Sequence, residues 1–474
     1  MGLFKARIHL QTSAIMPYMV KAVVLAAGRG SRLKSKIPKV LHRVFDKPIL
    51  AWVLDSLADV DLEEIIVICG YKAEEVKGFL HAYPVTQVIQ SEQLGTGHAL
   101  MCAREKLEGY KGTVLIVNGD SPLIEPKTLN NMIKFHQENV LDLSILSSNL
   151  ENPDGYGRII RKNHNIMAIK EDKDCSEAEK SITEVNAGVY CMEWDTVSKG
   201  LNQLGNNNSQ EEYYLTDLVA WSYTQGHSTA TFDLENPYEV LGVNTREDLA
   251  LVFKLKNEAY LQELMENGVT IIDPASTMIS PEVEIGRDTV IYPGTFIQRR
   301  VTIGNNCEIG PNTYIYGPAE IGSGSSVIQS HFSRSSVGKD CQVGPYSHIR
   351  EGCDIGDNVR IGSFVEVKNS AIGDNTSASH LSYLGDAKIK THCNFGAGTV
   401  IANYDHRSGL KHECTIGSNV STGANSVLVS PIEIGKDSMI AAGSVVTKKV
   451  PENTLAIARP RQEHKPNRDF VRKN

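Results

Sequence analysis

An aliphatic residue recurs at every sixth position through the second half of the chain. Ile285, Ile291, Ile297, Ile303, Ile309, Ile315, Ile321 and Val327 form one unbroken run. The ladder resumes at Val337, Val343, Ile349, Ile355, Ile361 and Val367, wavers, and finishes with Ile416, Thr422, Leu428, Ile434, Ile440 and Val446. A period of six suits neither an α-helix nor a simple sheet. It fits a parallel β-helix in which short strands meet at repeated corners. Each rung then points into a shared core, and the Gly that follows many rungs, as at Gly286, Gly304, Gly338 and Gly417, tolerates the backbone of the corner. One coil cannot bury its own apolar face, so stability must come from stacked neighbours. Residues 283–447 are therefore expected to form a prism of coils.

With 474 residues there is room for two or three domains. A net charge of −8 gives no global attraction to nucleic acid, so any phosphate must be met by a few local cations. No apolar run approaches the roughly 20 residues of a membrane helix. The first 19 residues lack a signal-peptide core, and Ala6 breaks the myristoylation pattern. A cytoplasmic protein with neither a membrane nor a nucleic-acid partner is expected. Nine cysteines without a CxxC pair indicate reduced thiols rather than a disulfide or zinc framework. Cys307, Cys341, Cys353, Cys393 and Cys414 each precede a rung or its equivalent by two residues, where Thr289, Ser325, Ser347 and Ser438 stand elsewhere. They read as small packing residues of the coil.

The first half has a different rhythm. VKAVVLAA, from Val20, reads as a buried parallel strand leading into the loop GRGSRLKSKIPKVL. EIIVICG and TVLIVNGD then alternate with the helical stretches ILAWVLDSLADV and GTGHALMCAREKL, the pattern of a doubly wound α/β domain. Ligands of such sheets bind beyond the carboxyl ends of the strands, where Gly28 and Asp120 fall. The loop lacks the GK[ST] of a Walker motif, and Leu33 stands where a dinucleotide fold requires a third Gly. What remains is a glycine loop offering N–H groups to phosphates, with Arg32 and Lys39 as cations. At Thr245 a helix of about 30 Å begins with a Thr-x-x-Asp capping box and ends at Gly268. The expected organisation is an extension over 1–19, an α/β unit over 20–246, a connector helix over 247–267, and the prism with a basic tail over 268–474.

Four further stretches carry a resemblance: QSEQLGTGHA at 90–99, NGDSPL at 118–123, GYGRI at 155–159 and NNNSQEEYYLTD at 206–217. With the glycine loop they resemble the sugar nucleotidyltransferase signature. Taken with the prism, residues 20–460 resemble the bifunctional N-acetylglucosamine-1-phosphate uridylyltransferase and glucosamine-1-phosphate acetyltransferase family. The resemblance implies an N-terminal Rossmann-like nucleotidyltransferase domain and a C-terminal left-handed parallel β-helix of hexapeptide repeats. It also implies a homotrimer, Mg²⁺, and UTP and acetyl-coenzyme A as co-substrates in supplying cell-wall and lipopolysaccharide precursors.

Site residues follow from the same resemblance. Leu25, Ala26, Ala27, Gly28, Gln90, Gly95, Thr96, Asn118, Gly119 and Asp120 would hold the uridine nucleotide, with Arg32 and Lys39 on its phosphates. Gly157, Glu171, Asn186 and Asn244 would hold the sugar nucleotide, and Asp120 and Asn244 would ligate Mg²⁺. In the prism, His380 would be the base of acetyl transfer. Arg350, Lys368, Tyr383 and Asn394 would hold glucosamine-1-phosphate. Ala397, Asn403, Tyr404, Ala424, Ala442 and Arg459 would meet coenzyme A, and Lys411 stands at the position of a coenzyme-contacting lysine. The chain departs from the family at Asn118, where Tyr is frequent, at Ala187 for Thr, at Ala424 for Ser, and in a longer 405–411 segment.

Two rivals share these residues. The prism could serve only oligomerisation or regulation behind a single-activity nucleotidyltransferase. A zinc hexapeptide enzyme would need three converging histidines, and His331, His348, His380 and His392 show no compact ligand motif.

Overall fold

The structure, a computed structural model, describes residues 19–465. Residues 1–18 of the N-terminal extension and 466–474 of the basic tail lie outside the described residues. The chain divides into two compact units between Lys254 and Leu255, within the helix Arg246–Glu266. Thr245 and Asp248 form the expected capping box: the Thr245 hydroxyl accepts from the Asp248 N–H at 3.1 Å, and the Asp248 carboxylate accepts from the Thr245 N–H at 2.8 Å. Gly268 closes the other end at φ +97°.

The first unit is a mixed sheet. Its strand order is Thr229–Asp233, Leu143–Asn149, Glu184–Glu193, Thr113–Asn118, Val20–Ala26, Glu64–Cys69, Thr86–Ile89. Val20–Ala26 runs parallel to both neighbours, whereas Glu184–Glu193 is antiparallel to both of its own. Strand side chains alternate between faces. Val24, Val67 and Val117 therefore enter one core layer, while Val23, Ile66, Ile68 and Ile116 enter the other. The chain leaves Val20–Ala26 toward Glu64–Cys69 and returns on its other side as Thr113–Asn118, which makes its carboxyl end the switch point of the sheet.

The second unit is the prism. Three parallel sheets of eleven, ten and nine strands run its length. Every rung from Ile291 onward is buried, and Ile285 at the end of the stack is half-buried. The gap between Val327 and Val337 holds another rung, Phe332, fully buried and paired with Ile315 and Ile349. The step there shortens from six residues to five. In the wavering stretch, Ile372, Ala378, Leu384, Ile389, Phe395 and Ile401 continue the core. Ile389 then pairs with Ile416 across an excursion that carries the hairpin Tyr404–Asp405/Leu410–Lys411.

Two details refine the sequence reading. Gly310 and Gly344, which follow the rungs Ile309 and Val343, take φ +101° and +107°, but at five other corners the left-handed residue is the Asn or Asp two positions after the glycine: Asn306 (φ +55°), Asp340 (+55°), Asn358 (+56°), Asn419 (+59°) and Asp437 (+57°). These side chains tolerate that conformation better than most. The glycines are needed for close stacking, because a Cβ on Gly304 would lie 2.6 Å from Ser323 N and one on Gly338 2.7 Å from the Gly356 carbonyl carbon. The slot shared by the five cysteines also does more than save space. Cys307, Cys341 and Cys393 donate to the carbonyls of Gly322, Gly356 and Gly417 at 3.3, 3.0 and 3.1 Å. The Cys307 and Cys341 N–H groups in turn donate to the hydroxyls of Thr289 and Ser325 in the preceding coil, at 3.1 and 2.9 Å.

Candidate functional site

The carboxyl edge of the first sheet opens into two adjoining cavities of about 540 and 340 Å³. Leu25, Ala26, Ala27, Gly28, Lys39, Gln90, Gly95, Thr96, Asn118 and Asp120 line the larger. Arg32, Gly157, Glu171, Asn186 and Asn244 line the smaller, so Arg32 opens onto a different cavity from the one that Lys39 lines. Leu25, Thr96, Asn118 and Asp120 belong to both. Gly119 lies just behind them, its N–H donating to Leu25 O at 2.9 Å.

Two glycines let this edge close up. Gly30 has φ +66°, and a Cβ there would come within 2.6 Å of the Lys39 Cβ. Gly95 has φ +107°, and its Cβ would sit 2.5 Å from Tyr213 O. Lys39 is thereby set between the ends of two distant segments. Its ammonium contacts the Asp120 carboxylate and donates to Asn244 Oδ1 at 2.7 Å. Asp120 and Asn244 are also tied through the backbone, since the Val243 N–H donates to Asp120 O at 2.9 Å. Asp248 accepts from the Asn244 N–H at 2.9 Å.

In the smaller cavity, Asn186 donates to the Tyr190 hydroxyl at 2.7 Å and accepts from the Gly188 N–H at 3.0 Å, in a bulge of its strand. Glu171 accepts from the Thr216 hydroxyl at 3.0 Å. Burial pushes the Glu171 carboxyl above its ordinary range. The Thr216 bond opposes that shift, and Asp174, Asp217 and Glu212 add to it. Burial likewise pushes Tyr156 up to about 12. Sequence reasoning missed the clamp beneath these residues. Arg158 is 0% exposed; it donates to Tyr156 O, and to Asp172 at 3.1 Å. It thus joins the segment before Gly157 to the one after Glu171. The GYGRI and TD strings contained Arg158 and Thr216, but the strings alone assign them no role.

The prism carries a second cluster. Arg350, Glu366, Lys368 and Tyr383 share one sheet, with Arg350 donating to Glu366 at 2.9 Å. Asn403 donates to Asp386 and, at 3.4 Å, to the Tyr383 hydroxyl. Lys411 comes from the hairpin to lie against Lys368. This contact, then burial and then Arg350, pulls Lys368 below its ordinary range. His380 ends the neighbouring strand Ser377–His380, exposed at the corner before Tyr383. Asn394 lies on the sheet of His380, its strand paired with the one that His380 ends. Ala397, Ala424 and Ala442 climb one corner of successive coils: the Asn425 N–H donates to Ala397 O at 2.7 Å and the Gly443 N–H to Ala424 O at 2.8 Å. Arg459 lies beside the last of them, its Cδ 3.9 Å from where a Gly443 Cβ would stand. Tyr404 is exposed on the hairpin. The structure thus gathers Arg350, Lys368, Tyr383 and Asn403, adds Lys411 to them, and sets the alanine column apart.

These features define a two-unit transferase, a nucleotidyltransferase fold followed by a hexapeptide prism. The profile of the MobA-like NTP transferase domain matches residues 22–153. That of the bacterial transferase hexapeptide (six repeats) matches 300–327, 334–369 and 413–448. The Bifunctional protein GlmU of Clostridium perfringens is 46% identical over 94% of this chain and 97% of its own length. Those of Acetivibrio thermocellus and Alkaliphilus metalliredigens are 44% and 42% identical, over 93% and 94% of the chain and 95% and 97% of their own lengths. The chain belongs to the bifunctional GlmU family. It is a uridylyltransferase and acetyltransferase of UDP-N-acetylglucosamine synthesis.

Proposed function

We propose that the two chemistries are divided between the two units, with Asp120 at the centre of the first. The observation that carries this reading is that Asp120 lines both cavities and meets Lys39 and, through it, Asn244. Leu25 to Gly28, Gln90, Gly95, Thr96 and Asn118 hold the uridine nucleotide. Gly157, Glu171 and Asn186 hold N-acetylglucosamine-1-phosphate. A phosphate oxygen of the sugar attacks the α-phosphorus of UTP, the bond to the β-phosphate bridge breaks, and pyrophosphate leaves. Such a transfer depends on positioning and charge stabilisation rather than a protein nucleophile. Arg32 and Lys39 supply fixed positive charge to the phosphates.

The donor set at Asp120 and Asn244 fits Mg²⁺. Both offer oxygen, the ligand this hard cation prefers, and the pair already gathers positive charge in the form of the Lys39 ammonium. The ion would be held by these two side chains and, when bound, would neutralise charge on the triphosphate.

In the prism, Arg350, Lys368 and Lys411 receive the phosphate of glucosamine-1-phosphate. Lys368 and Lys411 repel one another, and a dianion between them relieves that repulsion. His380 removes a proton from the sugar amine, whose nitrogen attacks the acetyl carbonyl as the carbon–sulfur bond breaks and coenzyme A departs. The alanine column with Asn403, Tyr404 and Arg459 lies along the coenzyme. The assembly is a homotrimer, and neighbouring prisms complete the acetyl site. Exposed Tyr346, Phe364 and Leu381, 54, 61 and 61% accessible at corners with positive φ, support burial in such an assembly. No helix among the described residues is long and apolar enough to cross a membrane. Nine free thiols support a cytoplasmic enzyme. Product analysis with UTP, acetyl-coenzyme A and glucosamine-1-phosphate, each omitted in turn, tests the scheme. UDP-N-acetylglucosamine should form only with all three, and UDP-glucosamine as the main product would overturn the order of steps.

A further inference from the structure

We infer that His98 is a positioning residue that sets which way round Gln90 meets the pyrimidine base. Gln90 follows the strand Thr86–Ile89, is 3% exposed and lines the larger cavity. Its amide nitrogen donates to Gly95 O at 3.1 Å and lies 3.0 Å from His98 Nδ1. A carbonyl can only accept, so the amide nitrogen must be the end that faces Gly95. That nitrogen has two hydrogens, and the second reaches His98 only if Nδ1 presents its lone pair, with the ring proton on Nε2. Both donors of Gln90 are then used within the protein, and Oε1 is the polar end left for a ligand.

A carbonyl oxygen there accepts from the N3–H of uracil and meets the N3 lone pair of cytosine repulsively. The inference rests on the reading that this cavity holds a uridine nucleotide. The pieces that place His98 are built for the purpose. Gly95 caps the helix Thr96–Cys102 that carries it, and the Tyr213 N–H donates to Leu94 O at 2.8 Å. The Gly97 N–H returns a bond to Tyr213 O at 2.8 Å, and the Leu215 N–H donates to the Thr96 hydroxyl at 3.0 Å. The Gly95 carbonyl and the His98 ring are thus held on one short segment, at the two points that Gln90 needs. Without His98, one amide hydrogen loses its partner, and the amide is fixed by the Gly95 bond alone.

The test uses the full chain with H98F and H98A, which remove the acceptor with and without added bulk, and H98N, whose side-chain oxygen restores an acceptor near the position of Nδ1. Pyrophosphate release gives kcat and KM with UTP and with CTP, and acetyl transfer serves as an internal control. H98F and H98A should raise KM for UTP with little change in kcat. Their UTP-over-CTP preference should narrow by about tenfold, the factor one hydrogen bond carries, and H98N should recover most of it. An unchanged preference in the active H98A enzyme, or an H98N enzyme no better than H98A, would overturn the role of His98. Equal use of UTP and CTP by the unaltered enzyme would instead overturn the uridine reading itself.

Discussion

Lys39 donates a 2.7 Å hydrogen bond to Asn244, a residue 205 positions further along the chain. The same ammonium contacts Asp120, so one cation from the glycine loop holds together the carboxyl edge of the sheet and the start of the helix Arg246–Glu266. The Arg246 guanidinium reinforces this link by donating to Leu33 O at 3.2 Å.

Lys39→Met should therefore lower UMP transfer by about 10² to 10³-fold, the range for removing one preorganised charge-stabilising group. Acetyl transfer should be unchanged. Parallel assays of pyrophosphate and free coenzyme A thiol check this, and equal loss of both activities would show a folding defect rather than a catalytic one.

His380→Ala should reduce acetyl transfer by about 10² to 10⁴-fold, the usual value of a general base, with UMP transfer intact. Mixing His380→Ala chains with Asn403→Ala chains after dissociation and reassembly should restore part of the activity. No recovery in verified mixed trimers would place both residues in the same subunit's contribution to the site.

Glu171 yields a pH-dependent prediction. Its folded pKa is raised by burial, so the stability this group contributes is full below the ordinary carboxylate range and is lost as pH rises through the folded value. Glu171→Gln keeps an acceptor for Thr216 and removes the buried charge. Its thermal midpoint should exceed that of the unaltered protein at pH 7 to 8, and the gap should close toward about pH 4. The same substitution should raise KM for the sugar phosphate. Equal midpoints at every pH would remove the buried charge from the account.

The five coil cysteines should resist alkylation until the prism unfolds. Each is no more than 3% exposed, and burial raises every thiol whose shift is resolved, Cys414 up to about 12. Cys341→Ala should cost about 1 kcal/mol, through the lost bonds to Gly356 O and from the Val359 N–H. Cys341→Ser should cost less. Mass spectrometry after timed labelling and denaturant titration measure the two effects, and rapid labelling of native protein would contradict the buried slot.

The prism was legible because each rung is one aliphatic residue at a period set by the coil. Phe332 escaped that reading because the step shortens to five on either side of it. Its large aromatic side chain fills a position where the coils on either side carry Ile315 and Ile349. Ala378 escaped because its short side chain does not stand out as a rung, although it is fully buried in the core. The motif strings located the cleft of the first unit, since Gly28, Gln90, Thr96 and Asp120 all reach it. They did not reveal that Lys39 bonds Asn244, that buried Arg158 ties Tyr156 to Asp172, or that Lys411 abuts Lys368. Those are relations across folded distance, and spacing along a chain carries no record of them.

The excursion at 403–413 leaves the prism and rejoins it without disturbing the stack: Ile389 faces Ile416, Phe395 faces Thr422 and Ile401 faces Leu428 as if nothing intervened. The hairpin is in effect a graft on a finished column. Its tip can lengthen or shorten with little strain transmitted to the coils above and below. A change in its length would shift the reach of Lys411 toward Lys368 and of Tyr404 toward solvent, while the column that carries them stays as it is.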